Sequence, residues 1–247
     1  QGIKDKDFVH TVQKFRTEDK FDLIHYVSRV LKACNISSIM IYWSADQSLY
    51  NSVPNPGIQE NEVIDYRGVD VSTNYRKNMS LDYDVIFYYI GQRRSSELEH
   101  FYANYGFIVT STELQEVEQA KSRSINFSKF DYLKDDSECE EDEPVEEVFE
   151  RNHTYLLILG FLADKKKKFI SSELEFPLRD TIAVPYDAET AECRINCMYD
   201  NVFRFSGISA EFQELIDRLC LTVLKDCGIE LTPREYRKLY KMAERGK

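Results

Sequence analysis

Glycine is scarce in this chain, and its scarcity argues against the common phosphate-binding loops. Only 9 of the 247 residues are glycine, and none has the spacing of a Walker loop or a dinucleotide-binding turn. Such loops need glycine because their backbone N–H groups must approach a phosphate closely. The GxSxG and HExxH motifs are missing as well, so the sequence predicts neither a nucleotide-phosphate site nor a common hydrolase site.

Patterns for metal binding and membrane insertion are also missing. The six cysteines form no CxxC pair and there are only four histidines, so we expect no metal ligands. No run of roughly 18 apolar residues occurs, so no membrane span is predicted. A chain of this length can bury a core without disulfides, which favours reduced thiols and an intracellular location, in the cytoplasm or the nucleus. The chain opens with Gln1 and not with Met, which leaves open whether it is a fragment of a longer protein.

The acidic residues are concentrated in one segment. The net charge is −11, but residues 135–147 hold nine Asp or Glu and no base, and without them the balance is about −2. A segment of this kind is typical of a disordered, solvated insertion and does not require a basic partner. The lysine run at 165–168 is interpreted as a solvated turn, so nucleic acid is an unlikely partner on this evidence.

Large apolar side chains are plentiful, and they predict a mixed α and β architecture. Strand-like runs occur at 38–43, 83–90 and 154–163, and shorter ones near 62–71 and in "DTIAVPY" and "ECRINCMY". Residues 5–34 carry two helical stripes and predict an N-terminal helical layer. Further helices are predicted at 112–123, from 209 onward, and after Thr232, where Pro233 and Glu235 complete a helix-start signal.

The stretch "DYDVIFYYIGQRRSSELEHFYANYGFIV", residues 82–109, holds the most distinctive pattern. A strand ends at Gly91, a capping pair at Ser96 and Glu99 predicts a short helix, and "GFIV" returns to a strand. Its aromatic side chains either fill a core, which is the common case for this spacing, or line a site. The spacing alone leaves both interpretations open.

This stretch resembles SET-domain methyltransferases of the Rubisco large-subunit methyltransferase type. "IFYYIG", "RRSSEL" and "YGFIV" are similar to the family's two Tyr-Gly strands and the polar turn between them. Weaker similarities occur in "YVSRVL", in "SADQSLYNSVPNPG", in "NHTYLLILGF" and in "SAEFQELIDRLCL". The resemblance implies an S-adenosylmethionine-dependent protein-lysine methyltransferase that acts on a protein substrate.

The same resemblance implies roles for particular residues. Tyr89 would be the catalytic hydroxyl, Tyr105 and Phe107 would line the substrate channel, and Asn51, Ser52 and Tyr105 would contact the cofactor. Aromatic faces suit such a channel because they stabilise cations. Ser52 stands where the family has histidine, and the family's Gly-x-Gly cofactor strand is missing. These departures favour an alternative, a catalytically inactive SET-like scaffold that binds a protein partner, and leave enzymatic activity uncertain.

The predicted fold class is α+β, a SET-like body of short strands with helical insertions followed by a C-terminal helical region. Three segments are predicted. Residues 1–110 form the SET-like region with N-terminal helices, and residues 111–153 form a helix and the acidic insertion. Residues 154–247 form a C-terminal strand and a helical region that binds substrate or partner.

Overall fold

The architecture is built on one sheet with helices on both of its faces. A computed structural model describes residues 7–12, 17–42, 63–66, 68–72, 83–91, 104–127, 149–150, 153–161, 164–199 and 204–245. The strands in these ranges are β1 (Asp7–Val12), β2 (Ser38–Tyr42), β3 (Val63–Tyr66), β4 (Val69–Ser72), β5 (Val85–Gly91), β6 (Tyr105–Thr110), β7 (His153–Phe161) and β8 (Thr181–Pro185).

The helices in the same ranges alternate with many of the strands. They are α1 (Thr17–Ala33), α2 (Leu114–Phe127), α3 (Asp164–Glu173), α4 (Ala188–Tyr199), α5 (Ala210–Asp226) and α6 (Pro233–Glu244), with a 3₁₀ turn at Leu178–Asp180. Such alternation is typical of a parallel sheet, because each crossover between parallel strands needs a connection long enough for a helix. Within the described residues, no helix has both the length and the apolar character needed to cross a membrane.

The sheet has eight strands in the order β3-β4-β2-β5-β1-β6-β7-β8. Every neighbouring pair is parallel except β3 and β4, which are antiparallel at one edge. β1 lies near the middle, where it pairs with β5 on one side and β6 on the other. From β1 the chain first moves toward β2, and later it passes from β5 across β1 to β6. The carboxyl end of β1 is therefore the switch point of the topology, where open α/β sheets usually bind ligands.

The central strands are apolar on both faces because helices cover both faces. All six residues of β6 are buried. On β6 and β7, side chains alternate between two hydrophobic clusters. Phe107 and Leu157 pack in the larger cluster, and Ile108 and Leu156 pack in the smaller one. Each face of the sheet therefore packs in its own hydrophobic core.

The larger core lies under α1, α5 and α6. Leu31 of α1, Ile216 of α5 and Tyr240 of α6 are buried in it together with side chains of the sheet. Arg29 fixes α1 to the last turn of α6, because its Nη2 donates to the Ala243 carbonyl at 3.3 Å. The smaller core lies under α2 and α3, through residues that include Val117 and Ile170.

Local sequence signals predicted three strands and the two C-terminal helices correctly. The strands predicted at 38–43, 83–90 and 154–163 are confirmed as β2, β5 and β7, and the helix from 209 onward as α5. The helix-start signal before α6 is a capping box, in which Thr232 N donates to Glu235 Oε2 at 2.9 Å and Glu235 N donates to Thr232 Oγ1 at 3.3 Å. Its two reciprocal bonds satisfy groups that a helix end otherwise leaves unpaired.

Several local predictions were wrong. Residues 7–12 form the central strand β1 and not part of a helical layer. "ECRINCMY" lies in α4 and is not a strand, and the lysine run opens α3 and is not a turn. The helix predicted after Ser96 and the acidic segment 135–147 lie outside the described residues. The three-segment division stays a prediction.

Candidate functional site

The carboxyl end of β1, at the switch point of the topology, is the position where a fold of this kind usually binds a ligand. β5 and β6 flank this end, with Thr11 opposite Tyr89 on one side and opposite Phe107 on the other. The connection from β1 to α1 consists of residues 13–16, "QKFR", a stretch without glycine. Lys14 and Arg16 bring positive charge to this connection. In the described part of the chain, this end of β1 is therefore flanked by two strands rich in aromatic residues.

Stacked tyrosines occupy the sheet beside β1. Tyr42 of β2 and Tyr89 of β5 are register partners, and their rings lie 5.1 Å apart with an interplanar angle of 5°. Both rings are buried, with Tyr89 fully inaccessible to solvent. β5 carries no Asp or Glu between Val85 and Gly91. This part of the sheet is filled by aromatic packing, and β5 offers no carboxylate.

The other predicted site residues of the described part are also buried. The Tyr105 hydroxyl donates to Asp226 Oδ2 at 2.9 Å and so joins β6 to the end of α5. Phe107 contacts the rings of Phe149 and Tyr155 at 5.0 and 5.8 Å. The structure brings Tyr89, Tyr105 and Phe107 into one hydrophobic core.

Only some of the residues with proposed roles lie in the described part of the chain. The catalytic role of Tyr89 and the channel role of Tyr105 and Phe107 stay predictions. Asn51 and Ser52 lie outside the described residues.

A cavity of about 310 Å³ opens at the amino ends of the parallel strands, on the side of the sheet opposite to the carboxyl end of β1. We call it the amino-edge cavity. It lies between the carboxyl end of α1 and the amino ends of β2 and β4, and Tyr83, just before β5, is part of its lining. Its polar lining includes Ser28, Lys32, Asn35, Ser37, Asp70 and Tyr83. Sequence reasoning missed this cavity, because no motif marks side chains that come from three separate segments of the chain.

Hydrogen bonds fix the walls of the amino-edge cavity. The Tyr83 hydroxyl donates to Asp70 Oδ2 at 2.6 Å, and Lys32 Nζ donates to the Gly68 carbonyl at 3.3 Å. Burial and the neighbouring Asp70 raise the pKa of Tyr83 well above its usual value, so the phenol keeps its proton. Gly68 has a φ of +83°, a conformation that suits glycine, and its N–H donates to Asp65 Oδ1 at 2.9 Å.

A second polar cluster joins the amino ends of β7 and β8. His153 Nε2 lies 3.0 Å from Asp180 Oδ1, although the contact lacks the alignment of a hydrogen bond. The Tyr155 hydroxyl accepts a hydrogen bond from Glu150 N at 2.6 Å, and burial raises the pKa of Tyr155 to about 12. This cluster connects β7 to the 3₁₀ turn and explains its polar residues structurally. Among the described residues, no three His, Cys, Asp or Glu side chains are grouped as metal ligands.

Comparison with solved structures finds proteins of the same fold. The MinC:MinD cell division complex of Aquifex aeolicus aligns with a TM-score of 0.55 at 11% identity, covering 92% of this chain and 98% of that chain. MinD from Aquifex aeolicus gives 0.53 at 12% identity over 92% and 99%. A plasmid partition protein from Borrelia burgdorferi, solved with AMPPNP, gives 0.52 at 12% identity over 90% and 100%.

These identities are low, so the likeness shows the fold and nothing more. No protein-family model matches the chain, and no curated protein matches its sequence. The chain has the MinD-like fold. That fold agrees with the mostly parallel sheet and the helices on both of its faces.

The resemblance to SET-domain methyltransferases is therefore wrong, and with it the SET-like body. The two strands that carry the Tyr-Gly pattern do exist, but β1 lies between them in the sheet. Neither an S-adenosylmethionine-dependent methyltransferase nor an inactive SET-like scaffold is supported by structures of this fold. S-adenosylmethionine as a cofactor is likewise wrong, because it rested on that resemblance, whereas the Borrelia protein was solved with AMPPNP.

The residues beside β1 do not fit the nucleotide that the Borrelia protein holds. A phosphate loop has the pattern G-x-x-x-x-G-K-[ST] between a strand and a helix, and residues 13–16 match neither its glycines nor its Lys-Ser/Thr pair. P-loop enzymes hold Mg²⁺ with that Ser/Thr and with a strand-end Asp, and β5 has no carboxylate.

The expectation that nucleic acid is an unlikely partner finds no support in the comparisons.

Proposed function

We propose that this chain is a MinD-fold protein that works by associating with a protein partner, without hydrolysing a nucleoside triphosphate at the carboxyl end of β1. The observation that carries the proposal is the glycine-free connection at 13–16. A phosphate bound at a strand-to-helix turn is held by converging backbone N–H groups, which side chains with Cβ atoms obstruct. Lys14 and Arg16 supply charge there but no such cradle.

The aromatic packing beside the connection supports the same conclusion. The stacked Tyr42 and Tyr89 lie in the core that α1 covers, on the face where a phosphate loop would lead into its helix. Metal-assisted phosphoryl transfer needs a carboxylate that binds Mg²⁺, and the neighbouring strand β5 carries aliphatic and aromatic side chains in its place.

Association with a protein partner has support that is independent of the connection at 13–16. One protein of the same fold was solved as a complex of two different proteins, MinC and MinD.

An intracellular location is part of the proposal as well. The described cysteines Cys34, Cys197 and Cys220 are free thiols, which is typical of a reducing compartment.

The experiment has two steps. The partner is first identified by crosslinking in the cell of origin, and the purified pair is then reconstituted and its dissociation constant is measured by calorimetry. We expect a saturable complex whose dissociation constant is the same without nucleotide, with Mg-ATP and with Mg-ADP, because a ligand that does not bind cannot shift the equilibrium.

Two results would contradict the proposal. One is association that appears only with Mg-ATP, and the other is phosphate release above the level of a heat-denatured sample. Lys14→Ala serves as the control for nucleotide effects, because it removes a positive charge from the connection between β1 and α1. If nucleotide strengthens association in the original chain and not in Lys14→Ala, the β1 edge is a working nucleotide site.

A further inference from the structure

We propose that the amino-edge cavity binds a small zwitterion of the amino-acid class, a molecule with one ammonium group and one carboxylate. The cavity lies at the edge of the sheet opposite to the carboxyl end of β1, so this proposal does not rest on the proposed function.

Two opposite charges line the same cavity without neutralising each other. Lys32 and Asp70 are both lining residues, and no ion pair joins them in the described part of the chain. Lys32 Nζ donates to the Gly68 carbonyl, so two of its three protons remain for a ligand. Asp70 accepts from Tyr83 through Oδ2, and within the described residues its Oδ1 has no donor. A molecule with both charges would be bound at both ends.

Ser28 supplies a second, independent sign of a ligand. Its side chain lines the cavity and is only 2% exposed, and its hydroxyl has no hydrogen-bond partner in the described part of the chain. Buried hydroxyls are almost always paired, and an unpaired one needs an explanation such as a bound molecule. Ser28 lies one helical turn before Lys32 on α1, so both side chains face the same side of the helix.

The size and stiffness of the cavity suit a compact ligand. About 310 Å³ is at the lower end of the range for small-molecule sites, which favours a metabolite of amino-acid size. The walls are held in place before any ligand arrives. Asp84 Oδ2 accepts from both Ser37 N and Ser37 Oγ, at 2.9 and 2.8 Å, and this joins the start of β5 to the start of β2. Ile36 and Val69 add an apolar wall for a side chain.

The test is a binding screen by ligand-observed NMR with the twenty common L-amino acids, using acetate and methylamine as probes that carry one charge each. We expect at least one amino acid to bind saturably. Asp70→Asn, Lys32→Met and Ser28→Ala should each weaken that binding, the two charge changes by about tenfold or more. Asn and Met preserve the size of the replaced side chains, and Ser28→Ala removes only a hydroxyl. Lys238→Met, at an exposed position of α6, should leave binding unchanged.

Three results would overturn the proposal. The first is the absence of saturable binding by any amino acid up to about 10 mM, a concentration that would detect even very weak sites. The second is binding of acetate or methylamine as tight as that of every amino acid, since one charge would then suffice. The third is binding that persists unchanged in Ser28→Ala and Lys32→Met, which would place the ligand elsewhere. Thermal melts of each variant separate lost binding from lost folding.

Discussion

Tyr236→Phe removes one hydroxyl from the contact between α5 and α6. Tyr236 is 7% exposed, and its hydroxyl donates to Asp217 Oδ1 at 2.7 Å. Burial, together with Cys220 and Asp217, raises the pKa of Tyr236 far above its usual range, so the hydroxyl remains a proton donor at any ordinary pH. The substitution keeps the ring and its packing, and it leaves the partly buried Asp217 carboxyl without this donor.

The expected loss of stability follows from the charge of the acceptor. A hydrogen bond to a charged group contributes about 1.5 to 3 kcal/mol to the free energy of unfolding. For a chain of this size each kcal/mol shifts the melting temperature by about 2 to 4 °C. We therefore expect Tyr236→Phe to lower Tm by about 3 to 12 °C.

Differential scanning calorimetry at neutral pH measures this change. Tyr186→Phe is the matched control, because Tyr186 is 53% exposed and its replacement should leave Tm within error of the original chain. The double variant with Asp217→Asn tests the pair, since the effects should be non-additive if the two groups act through one bond. A Tm for Tyr236→Phe equal to that of the control would refute the reasoning.

Two further predictions concern Asp217 and Gly106. Burial raises the pKa of Asp217, so above about pH 4 the unfolded chain releases a proton that the native state still holds, and stability falls with rising pH until the native carboxyl also ionises. Asp217→Asn should flatten this decline in urea denaturation between pH 4 and 7, and two parallel curves would contradict it. Gly106→Ala should cost about 1 to 3 kcal/mol, because a Cβ there would lie 2.8 Å from Thr154 Oγ1. Adding Thr154→Ala should recover part of the loss, and a Gly106→Ala chain of unchanged stability would show that β6 and β7 can adjust.

Elements with strong local signals could be predicted from the sequence. β7 is a long apolar run and α6 begins with a complete capping box, so neighbours in the chain determine both. β1 could not be recognised in this way. Phe8, Val9 and Val12 fit a helical stripe as well as a strand, and the pairing of β1 with β5 and β6 decides the matter. Such pairings join residues far apart in the chain.

The candidate sites were predictable only in part. Gly106 follows Tyr105 as in the methyltransferase pattern, but contact with Thr154 on the neighbouring strand already accounts for a glycine there. Tyr89 was recognised as notable, and its place in a stacked pair follows from register with β2. A short motif of tyrosines and glycines therefore matched a family whose fold the chain does not have. The amino-edge cavity had no sequence signal, because Ser28, Asp70 and Tyr83 meet only once the sheet has formed.

The most direct test of the central claim is a calorimetric titration with AMPPNP and Mg²⁺. The Borrelia burgdorferi plasmid partition protein, which has the same fold and was solved with AMPPNP, is the positive control in the same buffer. The account predicts saturable heat for the control and none for this chain, because the sequence of residues 13–16 contains no glycine and β5 carries no carboxylate for Mg²⁺. Saturable binding to this chain that ATP competes away and Lys14→Ala abolishes would contradict the account.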